Sequence, residues 1–574
     1  MTSHDDNADS PSDILPHPPR RRRWTRWVVG AFVVLAIAVA AGAYWRLPLA
    51  GAVLRVVLER AGLDGVTLTV DALSPSRIRL TDVRVGADIA IASAEAGLDL
   101  ARLPGNPVTS VVIDGVEADV AGAMKTLQQF SGNGRPAVTP PPTIRGWLDR
   151  AEGIPPVTVK NLSLRYAPAG PGIALTGSAE SGPNGAGAYA VRFALRLAGE
   201  IQGEKREVVV DGTAGVSEEV AIADVRAKTE DGTVDGMATG RIELASDNTT
   251  IRGTARVDLR DAKILAKLSP WLQGAAGRVE VTVQTPTPVA IGLDTPLDTP
   301  TLAAALQRAV SGGVRLDVKI EDASFGSGSQ GAGGTTVQGL SADIRLDRLS
   351  PPRTSPGQTI RATQVAGGVT FEDLSLRFAL VEGVAPVLPA VRIEDFQATF
   401  AGGQFGIAPT IIDPAAESSE GTIAVKDVDL GALLALAGLE GVSGTGRLNG
   451  AIPIKVVKNA VGIAGGRLEA AGPGTLRIRS DAAKQALAQG GEEVVLMLSA
   501  LENFHYEMLT LEIEKKLTGE GRILLRTRGQ NPNVRDGQPF VINLNLTGNV
   551  DRLAVVAAQA FQLPAALIRS MLPK

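Results

Sequence analysis

The sequence predicts a mainly β protein in which an N-terminal transmembrane helix precedes a long curled antiparallel β-groove with a few short helices. Three observations lead there. One run near the N-terminus is apolar enough to span a bilayer. Almost everything after it is a succession of short segments that alternate apolar and polar residues, the period-2 signature of half-buried strands. Gly, Pro, Asn and Asp separate these segments, as turns between antiparallel neighbours require.

The chain starts with a polar, basic tail (1–26) predicted to be disordered, whose end reads RRRRWTRW from Arg20. The segment 27–45 follows as the predicted span. With its aromatic flanks the apolar run is about 18 residues, near the minimum of ~17–25 for a bilayer. Trp27, Val28, Phe32, Leu35, Ile37, Tyr44 and Trp45 are the expected membrane anchor, with the aromatics at the interfaces. The preceding arginines place the N-terminus in the cytoplasm and the body across the membrane. Ala41-Gly42-Ala43 also resembles a cleavage site, so a signal peptide is the rival, disfavoured by the length of the run.

The body divides into a β region (46–130), a Pro/Gly linker (131–143), a middle β region (144–369), a C-terminal β domain (370–550) and a terminal helical segment (551–574). VTVKNLSLRY (157–166), RVEVTVQT (278–285), LSLRFAL (374–380) and VINLNLTG (541–548) are typical of its strands. Short helices are expected at 50–61, 120–130, 143–151, 262–272, 299–311, 430–438 and 481–490. A flat sheet of 25 to 30 strands at ~4.8 Å each would extend on the order of 120–145 Å, so the sheet must curl or split. Curling puts Val, Leu, Ile and Ala along a trough, although a stack of sandwiches would use the same strands.

Composition narrows the chemistry. Hydrophobic residues make up 44% of the chain and aromatics only 4%, so small aliphatic side chains would line any lumen. A formal charge of −4 leaves no basic stripe for nucleic acid. The absence of Cys excludes thiolate catalysis, Cys-based metal sites and disulfides. Of three His, only His505 lies in the body, between Phe504 and Tyr506, where packing or hydrogen bonding outweighs catalysis. The pairs Glu512/Glu514 and Asp427/Asp429 are spaced i, i+2, which puts each on the wet face of a strand. Gly326, Gly328 and Gly331 match a dinucleotide fingerprint in outline, but a strand pattern follows where a helix is needed, so a hairpin loop is the better reading. No catalytic residue, metal site or cofactor is assigned, and the chain is expected not to be an enzyme.

Several stretches together carry a resemblance: VKDVDLGALLALAGLEGVSGTGRLNGAIPIKV (425–456), GGRLEAAGPGTLRIRS (465–480), and 501–550, where NFHYEMLTLEI, GQNPN and DGQPFVINLNLTG are most specific. This region resembles the C-terminal half of the YdbH-like family of the AsmA-like superfamily, closely over 370–550. The resemblance implies a repeating β-groove in the periplasm of a Gram-negative bacterium, anchored in the inner membrane and conducting phospholipids toward the outer membrane. It also implies a small outer-membrane lipoprotein as partner near the C-terminal end. On that reading, Leu509, Leu511, Ile513, Ile542, Leu544 and Leu546 line the lipid groove, while Asn543 and Asn545 face the periplasm. The alternative is a scaffold for outer-membrane protein assembly that pairs its open strand edges with client strands. The terminal segment 551–572 is expected to cap the groove or dock a partner.

Overall fold

The computed structural model describes most of the chain from Val66 to Gly548, apart from 124–142, 261–272, 328–334, 480–491 and shorter gaps, together with Phe561 and four residues between 47 and 52. The expected span 27–45, its anchor residues, and the terminal segment other than Phe561 lie outside the described residues. Among the described residues no helix is long and apolar enough to cross a membrane.

Two compact units make up the chain, divided at Arg135/Pro136. The first is an antiparallel meander of β1 (Val66–Ser74), β2 (Arg77–Val85), β3 (Ile89–Leu98) and β4 (Val108–Asp119). Alternation in VTLTV turns Val66, Leu68 and Val70 to one side, where they are buried with Val83. Leu47 and Ala50 of the preceding helical residues pack on this cluster.

The second unit begins with α1 (Ile144–Ala151), followed by eight strands. These are β5 (Val157–Tyr166), β6 (Ile173–Pro183), β7 (Tyr189–Ile201), β8 (Glu204–Val216), β9 (Val220–Thr229), β10 (Val234–Leu244), β11 (Thr249–Leu259) and β12 (Gln273–Gln284). After α2 (Thr299–Arg308) come β13 (Arg315–Ser327), β14 (Thr335–Leu349), β15 (Pro352–Thr354), β16 (Gln358–Ala366), β17 (Thr370–Val381), β18 (Ala390–Phe400), β19 (Gly403–Ile407), β20 (Thr410–Ile412) and β21 (Ser418–Asp429). The remainder is α3 (Leu430–Ala437), β22 (Val442–Thr445), β23 (Arg447–Val457), β24 (Ala460–Ala470), β25 (Gly474–Ile478), α4 (Glu492–Leu501), β26 (Phe504–Lys515), β27 (Gly521–Gln530) and β28 (Pro539–Gly548). Neighbours pair antiparallel, mostly in chain order, and β28 pairs only with β27 among the described residues, so the sheet does not close. Mainly β architecture with few short helices is therefore as the sequence predicts.

Two features were not legible. Helix α4 lies just beyond the helix expected at 481–490, a stretch outside the described residues. Asp427 and Asp429 do not share a strand face: Asp427 has φ 55° at a register shift in β21, and the Asp429 carboxylate caps α3 by accepting from the Ala432 amide at 2.8 Å. The left-handed conformation recurs. Asp82, Asn161, Asp322 and Asp373 also have φ near 50°, each at a bulge where one extra residue enters a strand. Asp and Asn tolerate that conformation better than other non-glycine residues, and the bulge increases the local twist.

The bulges separate two regimes of the unit. From β6 to β12 the strands pair residue for residue without a shift. From β13 onward shifts are frequent, and here the unit has its core. Ile360, Leu376, Phe378 and Ile393 are fully buried, and one continuous cluster runs from Ala323 to Ile542 and Phe561. Within it Phe371 stacks on Phe400 at 5.2 Å between ring centroids and meets Phe405 in a tilted pair at 5.4 Å.

Candidate apolar track

The cross-strand register of β6 to β12 sorts residues by face. Val191, Ala214, Ala223, Gly240, Gly253 and Val283 sit side by side on successive strands β7 to β12. The adjacent row on the same face is Phe193, Gly212, Val225, Ala238, Ala255 and Val281, and the next is Leu195, Val210, Ala227, Gly236, Val257 and Val279. Because side chains alternate, this face is apolar through all three rows across six strands and consists largely of Ala, Gly and Val.

The opposite face is charged. Arg196 meets Glu207 at 2.6 Å, Arg226 meets Asp235 at 3.0 Å, Arg256 meets Glu280 at 2.5 Å and Arg278 meets Asp258 at 2.6 Å. Hydrogen bonding and the charge of Arg226 hold the Asp235 carboxyl below its usual range, and Asp258 raises Arg278 in the same way. Exposed pairs of this kind each contribute only about 0–1 kcal/mol. Their consequence is directional: a one-residue slip would turn these charges onto the apolar face, so they fix which face stays dry.

Among the described residues no layer covers that dry face in β5 to β12. Its side chains are mostly half-buried, shielded by neighbours, and Ala275 is the one fully buried apolar residue described within these strands. Leu197 remains 37% exposed. Near the ends of β7 to β10 the face deepens into a cavity of about 260 Å³ lined by Tyr189, Val191, Ala214, Val216, Ala221, Ala223, Gly240 and Ile242, among others. The Tyr189 hydroxyl is engaged with the Ser181 hydroxyl at 3.1 Å, leaving the lining apolar. An uncovered apolar surface of this extent signals a ligand or partner.

The residues expected to line the groove lie in a different setting. Leu509, Ile513 and Ile542 are buried in the continuous core, and Leu511 and Leu544 pack against it partly buried. The backbone of Leu546 pairs with Ile523, and its side chain is outside the described residues. Asn543 and Asn545 are exposed on the other face, beside Arg526 and Leu524 of β27. Glu512 and Glu514 point outward as expected, Glu514 meeting Arg522 at 2.9 Å.

The most specific sequence stretches turn out to be architectural. In NFHYEML the Tyr506 hydroxyl donates to the Thr445 carbonyl at 2.7 Å, and burial pushes its pKa up. Gly474 is required beneath it, because a Cβ there would lie 2.3 Å from the phenolic oxygen. His505 is exposed, its Nε2 3.3 Å from the Asn503 amide. In GQNPN the buried Asn531 amide donates to the Ser499 and Ala500 carbonyls at 3.0 Å and 3.2 Å, satisfying the C-terminal end of α4. Phe561 is fully buried against β21, where Gly421 leaves room for its ring.

Comparison with known proteins agrees with these motifs. No curated protein and no solved structure gives a match. The family model described as YdbH-like, intermembrane phospholipid transport protein YdbH, matches residues 303–555, a span that holds Tyr506, Asn531 and the bulged, packed half of the sheet, so that this part of the chain is similar to the YdbH-like family.

Proposed function

We propose that the protein conducts phospholipid between two membranes, with acyl chains lying along the uncovered apolar face of β5 to β12 and head groups remaining in water at its open side. The observation that carries this reading is the register itself, which lines up rows of Ala, Gly and Val crosswise to the strands on a face left half-buried among the described residues. A tail laid on such a row leaves water at about 0.8 kcal/mol per CH₂, and a row of similar small residues offers similar contacts at each strand. The family description of residues 303–555 supports the same cargo.

In this reading segment 27–45 holds the protein in the inner membrane and the body crosses the periplasm without catalysing a reaction. The C-terminal end faces the outer membrane, where a small lipoprotein receives it. Leu509, Leu511, Ile513, Ile542, Leu544 and Leu546 form the distal part of the track, where the core must part to admit a tail. A photocrosslinking residue in place of Ala223 or Val225 is expected to give lipid adducts in cells, and one at Asp224, on the charged face, is not. The same contrast is expected between Leu511 or Leu544 and Glu512 or Asn543. Adducts at outward positions as frequent as at inward ones would refute the track.

A further inference from the structure

The ends of β5 to β13 nearest Gln284 and Arg315 form one rim of the apolar face, because the turns β8–β9 and β10–β11 and the start of β5 all lie there. The cavity sits at this rim: Tyr189 opens β7, Val216 closes β8, and Ala221 and Ile242 lie within two residues of strand ends. The segment that borders the rim is α1. Its Arg145 amide donates to the Leu293 carbonyl at 2.9 Å. The Arg145 guanidinium meets Asp294 at 2.7 Å and Glu218, in the β8–β9 turn beside the cavity, at 3.7 Å. Leu293 and Asp294 in turn bond the β10–β11 turn at Ala245 and Ser246.

Only five residues separate Ala151 from Val157 of β5, a reach of at most about 18–20 Å beyond the helix. The β8–β9 turn lies some four strand spacings from β5, about 19 Å. α1 must therefore run crosswise to the strands, along the rim. Apolar burial is sparse in this half: between 143 and 322 the buried apolar residues described are Leu148 of α1, Leu293 bonded to α1, Val289 and Ala305, apart from Ala275 in β12. The first turn of α1 is held by the Arg145 amide and by an antiparallel bridge between Thr143 and Pro296, and the side-chain part of the fastening beyond it is weak. Arg145, Asp294 and Glu218 are 36%, 52% and 61% exposed, so their attraction is partly screened by salt.

We propose that α1 is a strap that closes the rim side of the cavity, and that the contacts of Arg145 with Asp294 and Glu218 are its latch. The proposal rests on the apolar track being a lipid path, and adds that lateral access at this rim is gated. Opening swings α1 with Leu148 about its tethered first turn and leaves the sheet intact, since among the described residues none of α1 itself pairs with a strand.

The absence of Cys from the chain gives a clean probe. In the full-length, membrane-embedded protein, Leu148→Cys supplies one thiol buried under the closed strap. Adding Arg145→Ala is expected to raise its rate of modification about three- to fivefold, the loss of a weak exposed ion pair. High salt should act in the same direction, and the exchange Arg145→Asp with Asp294→Arg should return the rate toward its starting value. Lipid adducts from a photocrosslinking residue at Ala223 should rise in parallel with thiol exposure. Equal thiol rates with and without Arg145 would overturn the latch, and a faster thiol with unchanged adducts would overturn the gate. Adducts absent from every variant would instead remove the lipid path, while the thiol rates still decide whether α1 is latched.

Discussion

Placing a charge on the apolar track separates its role in folding from its role in binding. Ala223 lies in the row Val191–Ala214–Ala223–Gly240–Gly253, on the half-buried face beside the cavity. In Ala223→Asp the new carboxylate keeps contact with water while the track is empty, so the fold should lose about 1 kcal/mol or less, as at other partly exposed positions. A lipid tail over the same position would strip that water. The carboxylate can escape by taking a proton, which at pH 7 costs about three pKa units, ~4 kcal/mol. Burying a polar group without a partner costs about 1–3 kcal/mol at the low end. Lipid occupancy should therefore fall between about tenfold and a thousandfold. Leu376→Asp is the contrasting perturbation: Leu376 is fully buried, and the same cost falls on folding. The assay is thermal unfolding of both variants together with lipid adduct yield from a photocrosslinking residue at Val225. Unchanged adduct yield in a folded Ala223→Asp protein would refute the claim that tails pass over this row.

Four further predictions concern the architecture. Tyr506→Phe removes the bond to the Thr445 carbonyl and should cost about 1–2 kcal/mol in denaturant unfolding. Asn531→Ala leaves the end of α4 without its donor and should cost about 1–3 kcal/mol, with faster amide hydrogen exchange in α4 than elsewhere. Asp373→Val forces a branched side chain into a left-handed conformation and should cost about 1–2 kcal/mol, whereas Asp373→Gly should be close to neutral. The Asp231 carboxyl is lowered to about 2 by hydrogen bonds from Thr229 and Thr233. Its folded pKa is below the unfolded value, so its contribution is present above about pH 4 and lost as pH falls through about 2. The stability difference between the wild type and Asp231→Asn should therefore shrink over that window, and a difference constant with pH would refute this.

Strand content was legible because alternation survives wherever pairing is regular. Arg226 and Ala227, or Arg256 and Val257, declare their faces without help. What local sequence could not report was whether a dry face is covered. Ile542 and Ala223 sit in equally alternating segments, yet Ile542 is buried in a core and Ala223 lies beside an open cavity. The difference is made by strands far away in sequence. Bulges hid for a related reason: at Asp427 one inserted residue shifts the period, so Asp427 and Asp429 look like a face-sharing pair and are not. Helix α4 was missed because EEVVLMLSAL is apolar nearly throughout, and its helical end depends on Asn531, thirty residues on.

The uninterrupted register from β6 to β12 has a consequence for how such a protein can change. Each strand there continues the rows of its neighbour without offset, so a whole hairpin can be gained or lost and every remaining side chain keeps its face. One hairpin adds two strand spacings, about 10 Å. Length in this half is thus a quantity that duplication and deletion can adjust in fixed increments, without redesigning the surface.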